Sequence, residues 1–349
     1  MQRNHPLVSI NLLTYNALPY IKDCLNSVLR QTYPYIEILV IDNSSFDGTV
    51  NYLKQVGSEN HNLRVIFNQK NFGFAVGHNQ GIEESQGEFI LCLNQDVVLD
   101  QDFVKRAVDV LEKDSQVAAI QGKILRMPLT SKIIDVTGLV ILKNRRVIAR
   151  GQGQTDRGQF EKIEEIFGAD GAVPVYRRKA LDDVRLAKVK PLQKYKGLTL
   201  ANFEYFDEDF FAYKEDVDLA WRLRLYGWKS FYQPKSVAYH DRTAGDSFAL
   251  NFISIIKERL KISKFGKYSA FKNQRLMQIK NEQIGSFIKY FPYFLLKEIG
   301  SWGYVLLFER YTYRAIKDLF KLLPRALRKR KIIMKRKKID SREINKWFK

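Results

Sequence analysis

The chain has 349 residues, enough for one large domain with an appendage or for two domains. Its composition, 45% hydrophobic and 13% aromatic, is ample for a hydrophobic core. Only two cysteines are present, Cys24 and Cys92, and both lie in apolar segments, which argues against a disulfide framework and fits a reducing compartment. No apolar run precedes Pro6, so the sequence predicts no signal peptide.

The net charge of +20 is concentrated at one end of the chain. Residues 251–349 hold 26 Lys and Arg against 7 Asp and Glu, whereas the preceding 250 residues are close to neutral. This composition shift predicts a neutral domain over residues 1–248 and a basic, amphipathic helical tail over residues 249–349.

Short apolar segments and amphipathic segments alternate through the neutral part. The predicted strands are 7–13, 36–42, 63–68, 88–94 and 117–121, and the predicted helices are 18–31, 47–56, 74–85 and 100–113. This alternation is typical of an α/β fold with a doubly wound, mainly parallel sheet, which binds ligands at the carboxyl ends of its strands. Polar residues follow three of the predicted strands: Thr14, Tyr15, Asn16, Asp42 and Asp96.

Asp42 lies in IDNSSFDGT, between a strand and a helix. A carboxylate at this position can accept hydrogen bonds from a nucleobase or a ribose. The alternative is a turn built by Asn43, Ser44, Ser45 and Gly48, with Asp47 capping the next helix.

The segment NQKNFGFAVGHNQG, residues 68–81, spaces Gly73, Gly77 and Gly81 four residues apart around a predicted helix start. Glycines allow close approach of a ligand to the backbone, and a helix N-terminus favours phosphate. Helix packing is the alternative reason for small residues here. The spacing matches neither a P-loop nor a dinucleotide fingerprint, which disfavours P-loop hydrolases and ordinary dehydrogenases.

Two side chains are candidate metal ligands. Asp96, in NQDVVLD, follows a strand end, where a carboxylate can hold a divalent cation that also binds a diphosphate. A helix cap or turn is the alternative. His240, in VAYHDRTAG, is one of four histidines, and a structural role is the alternative to metal or phosphate contact.

The stretch FFAYKEDVDLAWRLRLYGW, residues 210–228, places Glu215 and Asp216 where an aromatic segment gives way to a predicted helix that ends at Gly227. Adjacent carboxylates beside apolar residues cost free energy unless a nearby group uses them. Catalysis by a carboxylate is therefore one interpretation, and simple capping of the helix is the other.

Taken in order, LTYN, IDNSSFDGT, NFGFAVGHNQG, LNQDV, the pair at 171–172 and the 210–228 stretch resemble the family-two inverting glycosyltransferases. The rhamnosyltransferase-like subgroup of bacterial surface-polysaccharide synthesis is the most similar. The resemblance covers residues 6–245. It implies a GT-A fold and metal-dependent transfer of a sugar, L-rhamnose from dTDP-rhamnose, onto a lipid-linked glycan acceptor with inversion of configuration.

The resemblance also implies roles for individual residues. Asp216 would be the catalytic base, Glu215 would shape the acceptor pocket beside it, and Asp96 with His240 would lie at a Mg²⁺ or Mn²⁺ site. The implied donor-binding residues are Thr14, Asn16, Asp42, Asn71, Gly73, Phe74, Gly77 and Asn79. The implied acceptor-side residues are Gly171, Ala172, Trp221 and Arg222, the last two supporting the catalytic helix.

The chain departs from the family pattern in three places. Asn94 stands where many relatives carry the first aspartate of the metal motif. Residues 185–204 read as a basic insertion that would reach an anionic acceptor or form a simple surface loop. The segment around His240 matches the family's downstream histidine motif only loosely.

The tail predicts contact with a membrane surface. Residues 284–323 are rich in aromatic and aliphatic residues, but charges interrupt them, which favours an interfacial helix over a membrane span. The polybasic run 325–338 would be attracted by an anionic membrane surface. We therefore expect a cytoplasmic protein held on the inner face of the cell membrane. A homodimer is the main alternative, and no nucleic-acid motif accompanies the charge.

Other functions remain open at this point. The donor could be a UDP-hexose instead of dTDP-rhamnose. A sugar nucleotidyltransferase would want a basic phosphate-binding loop near the N-terminus, which LVSINLLTYN lacks. A non-catalytic, membrane-bound nucleotide-sugar-binding protein is the non-enzymatic alternative.

Overall fold

A computed structural model of the chain describes residues 5–188, 203–242, 249 and 251–349. The strands are β1 (Val8–Thr14), β2 (Ile36–Asp42), β3 (Leu63–Phe67), β4 (Phe89–Asn94), β5 (Val97–Leu99), β6 (Val117–Arg126), β7 (Ile134–Val136), β8 (Leu139–Ile141), β9 (Val147–Ala149), β10 (Glu164–Ile166), β11 (Val175–Arg177), β12 (Leu186–Ala187), β13 (Phe203–Glu204) and β14 (Lys229–His240).

The helices alternate with the first strands and then dominate the C-terminal part. They are α1 (Ile21–Leu29), α2 (Thr49–Glu59), α3 (Phe74–Glu84), α4 (Phe103–Lys113), α5 (Arg178–Val184), α6 (Glu215–Leu225), α7 (Phe252–Lys261), α8 (Lys264–Asn281), α9 (Ile284–Phe308), α10 (Tyr313–Arg336) and α11 (Ser341–Asn345). All five predicted strands and all four predicted helices of the neutral part are confirmed within a few residues.

In the described part of the chain, ten strands form one sheet with the main order β10–β14–β6–β11–β4–β1–β2–β3. Strands β4, β1, β2 and β3 are parallel, and so are β6 and β14. The predicted doubly wound, mainly parallel sheet is confirmed. Strand β11, which runs antiparallel between β4 and β6, is an addition that the periodicity did not reveal.

The register of the parallel strands positions the site. Thr14 pairs with Asp42 across β1 and β2, and Leu13 pairs with Asn94 across β1 and β4. The carboxyl ends of these three strands therefore meet at one edge of the sheet. Strand β1 is buried along nearly its whole length, its polar Ser9 and Asn11 included, because helices cover both faces of a parallel sheet.

The basic tail packs against the rest of the chain. Met277 of α8, Ala326 of α10 and Phe348 belong to the same hydrophobic cluster as Trp221 of α6. The backbone of Phe348 also forms a β-bridge with Ile141. The basic tail is therefore packed against the neutral part of the chain, although the two parts differ in net charge. The domain boundary at 248 stays a prediction, and residues 243–248 lie outside the described ranges.

Helix α9 begins the apolar segment of the tail. Its backbone departs from helical geometry at Tyr290, just before Pro292, and a short 3₁₀ turn over Arg310–Thr312 separates it from α10. Within the described ranges, none of the helices combines the length and the apolar character that a membrane crossing needs.

Candidate active site

Two cavities meet at the carboxyl edge of the sheet. The first, which we call the strand-edge cleft, measures about 290 Å³. The second, the acidic cavity, measures about 600 Å³. Both are lined by Phe74, Asn94 and Asp96, so one ligand can extend through both.

Asp216 lies in the acidic cavity at the start of α6, where it is half-buried. Its carboxylate accepts hydrogen bonds from the N–H groups of Gly171, at 3.1 Å, and Val217, at 2.7 Å. Burial and the nearby charge of Asp170 raise the pKa of Asp216 to about 6, although Lys214 and the two N–H groups favour the ionised form. The carboxylate is therefore ionised at neutral pH and more basic than an exposed aspartate.

Glu215, the neighbouring acid, is in a different state. Its side chain is buried, and one carboxyl oxygen, Oε2, has no hydrogen-bond partner. Burial and the charge of Asp216 raise the pKa of Glu215 well above its ordinary value. The two acids thus face the same cavity with different environments, and the protonated form is favoured more strongly at Glu215 than at Asp216.

The loop before α6 has strained backbone geometry. Phe211, Tyr213 and Lys214 have φ angles of 66°, 71° and 72°, which are uncommon for residues other than glycine. Asn273 of α8 stabilises this conformation. Its amide donates to the carbonyls of Phe210, Ala212 and Tyr213 at 3.1, 2.8 and 2.7 Å. The predicted tail therefore stabilises the loop before α6, a role that sequence analysis missed.

Asp96, His240 and Asp135 form a row across β5, β14 and β7. Nδ1 of His240 lies 2.9 Å from Asp135, and Nε2 lies 3.4 Å from Asp96. Burial disfavours the imidazolium, but hydrogen bonds and charge from both carboxylates outweigh burial and raise the pKa of His240 to about 9. Asp135 therefore orients the ring, as carboxylates do behind metal-bound histidines.

The residues at this edge fit a divalent cation. Asp96 offers a carboxylate, and His240 would offer an imidazole nitrogen once a bound cation displaces its Nε2 proton; both side chains line the acidic cavity. Mg²⁺ is usually bound through one or two carboxylates together with water and substrate phosphates. Across the described ranges, no three His, Cys, Asp or Glu side chains form a metal-binding cluster. The ion would therefore need diphosphate oxygens to complete its ligands.

Five of the residues predicted to bind the donor or the metal line the strand-edge cleft: Thr14, Asn71, Gly73, Phe74 and Asp96. The cleft also includes Tyr15, a residue to which sequence analysis gave no role. The Tyr15 ring is 40% exposed and meets the largely exposed ring of Phe46 edge-to-face, with centroids 6.3 Å apart. Exposed rings beside a cleft are a typical stacking surface for a nucleobase.

Asp42 and Asn16 do not reach the cleft, and the donor contacts predicted for them are corrected. Asp42 is fully buried, and its carboxylate accepts from the hydroxyls of Thr14 and Ser45 at 2.9 and 2.5 Å. The side-chain oxygen of Asn16 accepts from the N–H of Phe46 at 3.0 Å. Both side chains hold the strand-end loops together in this conformation.

The donor contacts predicted for Asn79 and Gly77 are also corrected, because these two residues of α3 contact other parts of the protein. The Asn79 side chain accepts from the N–H of Phe206 and donates to its carbonyl, both at 2.8 Å. A Cβ atom at Gly77 would lie 2.3 Å from Leu13, so glycine lets α3 pack on β1. The first N–H groups of α3 donate to the carbonyl of Phe211, which leaves them unavailable to phosphate in this conformation.

The acceptor-side residues divide into two pairs. Gly171 and Ala172 line the acidic cavity, and a Cβ atom at Gly171 would lie 3.2 Å from the Asp216 Cβ. Trp221 and Arg222 are fully buried, so the prediction that they lie on the acceptor side is corrected. Arg222 donates to Asp218 and to the carbonyls of Val184 and Tyr205, and these bonds anchor α6.

A second acidic run precedes the loop before α6. Sequence analysis did not interpret it. Nζ of Lys329 lies 2.6 Å from Glu204, 2.5 Å from Asp207 and 2.9 Å from Asp209. Lys280 and Arg325 complete the group by contacting Asp207 and Asp209. We call it the buried ion cluster. Two of its cations, Arg325 and Lys329, belong to the polybasic run 325–338. Most of the predicted basic insertion, residues 189–202, lies outside the described residues.

The sequence profile of Glycosyl transferase family 2 matches residues 9–185. The chain belongs to this family. The matched region contains most of the strand-edge cleft, including Asp96, whereas Phe211 and Ala212 of the cleft, and also Asp216 and His240, lie beyond it. The family membership predicted from the motifs is therefore confirmed.

Relatives within the family act on bacterial polysaccharides. The chain is 25% identical over 237 residues to a poly-beta-1,6-N-acetyl-D-glucosamine synthase of Staphylococcus epidermidis, covering 66% of this chain and 49% of that protein. The chain thus spans about half the length of the curated relatives of this kind.

Solved structures support the GT-A fold. S. aureus TarS 1–349 in complex with UDP-GlcNAc matches with a TM-score of 0.56 at 16% identity, over 92% of this chain and 82% of that one. A Pyrobaculum calidifontis mannosyltransferase in complex with GDP-Man and Mn²⁺ matches with a TM-score of 0.50 at 15% identity, over 93% and 76%. At such identities the likeness concerns the fold alone, and the predicted GT-A-type fold is confirmed.

Proposed function

We propose that this chain is an inverting, metal-dependent glycosyltransferase that moves a sugar from a nucleotide donor onto a lipid-linked glycan in bacterial surface-polysaccharide synthesis. One observation carries the proposal. Asp216 presents a basic carboxylate, without an ion pair among the described residues, to the same cavity that Asp96 and His240 line. Family membership and the polysaccharide synthase relatives support the same conclusion.

Asp216 acts as the general base. An acceptor hydroxyl beside it gives up its proton to the carboxylate as its oxygen bonds to the anomeric carbon, and the bond from that carbon to the nucleoside diphosphate breaks. Such base assistance contributes about 10²- to 10⁴-fold in rate. One displacement with one base inverts the anomeric configuration. In its protonated form, which burial favours, Glu215 donates a hydrogen bond to the acceptor without competing for its proton.

The donor would lie across the two cavities. Its base would stack on Tyr15, and its diphosphate would lie near Asp96 and His240 at the junction. A Mg²⁺ or Mn²⁺ ion held there would neutralise the charge that develops on the leaving diphosphate. Asp135 keeps Nε2 of His240 directed toward Asp96 for this purpose.

Two candidate donors differ in the sugar that they carry. The family resemblance favours dTDP-rhamnose. A UDP-linked N-acetylhexosamine is the second candidate, because the polysaccharide synthase relative makes poly-N-acetylglucosamine and the TarS structure contains UDP-GlcNAc. Both donors present a pyrimidine base, and Tyr15 offers the same stacking face to each.

Helix α9 supports attachment to an anionic membrane surface. Ile284, Ile288, Leu296, Leu307 and Phe308 are each about 70% exposed, which is unusual for a soluble surface. Exposed cations of α10, including Arg328, Lys331 and Lys335, add attraction for anionic lipid. We propose a peripheral position on the inner face of the cell membrane, where a lipid-linked acceptor resides.

Donor binding tests the enzymatic part. Saturation-transfer NMR with dTDP-, UDP- and GDP-sugars plus Mg²⁺ should identify one class of donor that binds only with metal. The Asp96→Ala variant should lose the metal dependence and bind that donor more weakly. If no nucleotide sugar binds, the proposed function is wrong.

Vesicle flotation tests the membrane part. Full-length protein should float with vesicles that contain anionic phospholipid and remain unbound with neutral vesicles. A Leu296→Gln, Leu307→Gln double variant should float less. A protein that stays unbound to anionic vesicles at low salt and instead doubles in mass with concentration would favour the homodimer.

A further inference from the structure

A third cavity, of about 560 Å³, lies between α7, α8 and α9. Its walls are largely apolar, with Ile255, Ile262, Phe271, Leu296 and Tyr304 among the lining side chains. Leu296 is 73% exposed on the outer side of α9. This cavity, the helical cleft, therefore opens beside the apolar surface that we assign to the membrane.

The helical cleft also reaches the acidic cavity. Val147, Lys214, Ile262 and Ala270 line both. An elongated molecule can thus extend from the outer face of α9, through the helical cleft, to the carboxylate of Asp216. Lys214 lies at the junction, two residues before Asp216.

Lys214 is an unusual cation. Its ammonium makes no ion pair or hydrogen bond with the described residues, although the side chain is half-buried and burial lowers its pKa. The other cations of the helical cleft have partners. Arg259 pairs with Glu309, and Arg275 and Lys297 pair with Glu298. Lys214 alone among them is left for a ligand.

The backbone conformation of Lys214 also indicates a binding role. Its φ of 72° is an uncommon conformation for lysine, and Asn273 stabilises the loop that imposes it. A lysine without a partner in a strained loop costs free energy twice over, through desolvation and through backbone strain. Such costs are typical of a residue that is kept for binding.

We propose that the helical cleft binds the hydrocarbon chain, and Lys214 the phosphate, of a polyprenyl phosphate or diphosphate acceptor, whose glycan then lies at Asp216. This inference rests on the proposed function, since it describes the acceptor side of the same site. Apolar walls that end at one unpaired cation match an amphiphile with a single anionic group between its lipid and its sugar. A free diphosphate would use the cation but not the walls.

Geranyl diphosphate, a soluble short-chain probe, tests the inference by calorimetric titration of the full chain in EDTA. It should bind, whereas geraniol and inorganic diphosphate should each bind at least tenfold more weakly. Lys214→Asn, which suits the left-handed conformation, should weaken binding about 10- to 100-fold, as expected for a lost charge-assisted hydrogen bond. Lys214→Arg should restore most of the affinity. Lys257→Gln, an exposed lysine of α7, is the matched control and should bind like the parent.

A second variant tests the wall of the cleft without touching the loop. Leu296→Gln should weaken geranyl diphosphate about three- to tenfold and leave inorganic diphosphate unchanged. The inference is overturned if Lys214→Asn binds the probe like the parent, or if inorganic diphosphate binds as tightly as geranyl diphosphate. The donor titration separates the two proposals. A chain that binds a nucleotide sugar but no geranyl diphosphate refutes this inference alone, and the reverse result refutes the proposed donor.

Discussion

Two acidic runs close together in the sequence show opposite arrangements in the structure. Glu204, Asp207 and Asp209 are buried and neutralised by the buried ion cluster, mainly through Lys329. Glu215 and Asp216 face a cavity and have no ion pair among the described residues. Both runs follow aromatic residues, and sequence alone gives them the same character.

Charge compensation, and not burial alone, separates the two runs: Asp207 and Asp209 have cation partners, whereas Glu215 and Asp216, the acids that we propose to act in the site, have none among the described residues. Lys280 and Lys329 hold the pKa of Asp207 well below its usual range although burial opposes them. Burial and the nearby charge of Asp170 raise the pKa of Asp216 to about 6, because the weaker opposing effect of Lys214 does not offset them. Glu204 is intermediate: burial outweighs its shared contact with Lys329 and raises its pKa to about 7.

The largest expected effect is on turnover. Asp216→Asn removes the proton acceptor and keeps the side-chain shape, so the rate of sugar transfer should fall by about 10²- to 10⁴-fold. Donor affinity should remain within about twofold because Asp216 lies on the acceptor side. Steady-state transfer and donor titration on the same preparation measure both. Parental turnover in this variant would remove Asp216 from the role of base.

The largest expected effect on stability lies in the buried ion cluster. Lys329→Met leaves three buried carboxylates without their shared cation, and the free energy of unfolding should fall by about 3–5 kcal/mol. Lys331→Met, an exposed lysine two residues away on α10, is the control and should change stability by less than about 0.5 kcal/mol. Equal urea midpoints for the two variants would show that the cluster does not matter for stability.

The pH dependence of transfer should follow Asp216. The base is active only when ionised, so kcat/KM should fall about tenfold per pH unit below about pH 6. The effect on stability has the opposite sign. The folded pKa lies above the unfolded value, so the contribution of Asp216 to stability is present below the unfolded pKa and is lost as the pH rises through about 6. A rate profile that stays flat down to pH 5 would contradict the assignment.

The smallest effect is expected at Glu215. Because burial and the charge of Asp216 favour the protonated form of Glu215, Glu215→Gln keeps the charge of that form and its capacity to donate a hydrogen bond. Turnover should fall less than about tenfold, in contrast to Asp216→Asn. If the two variants lose activity equally, the acids titrate as one unit and the distinction between them is wrong.

The fold was accessible from the sequence because local periodicity determines it. Strands such as 36–42 and helices such as 103–113 repeat their apolar residues at spacings of two and of three to four. Strand β11 was missed because it has only three residues, Val175–Arg177, too few to show a period. The motif order sufficed for the family, but not for the sugar.

The site was only partly accessible, because motif matching cannot tell a ligand contact from a loop anchor. Asp42 and Asn79 match the family pattern, yet their side chains are used by neighbouring backbone and hydroxyl groups. The contributions of Asn273 and Lys329 depend on contacts across more than 60 residues, which no local pattern records. The sequence alone does not single out Lys214. Only the structure shows that its ammonium makes no ion pair or hydrogen bond with the described residues.

The most direct test of this account exchanges aspartate for asparagine once in each acidic run. Turnover per folded molecule and the free energy of unfolding are measured for Asp216→Asn and Asp207→Asn. The account predicts that Asp216→Asn loses turnover and keeps or gains stability, whereas Asp207→Asn loses about 3–5 kcal/mol of stability and retains turnover while folded. If Asp216→Asn retains turnover, or if folded Asp207→Asn loses it, compensation of charge does not separate the catalytic acid from the structural ones.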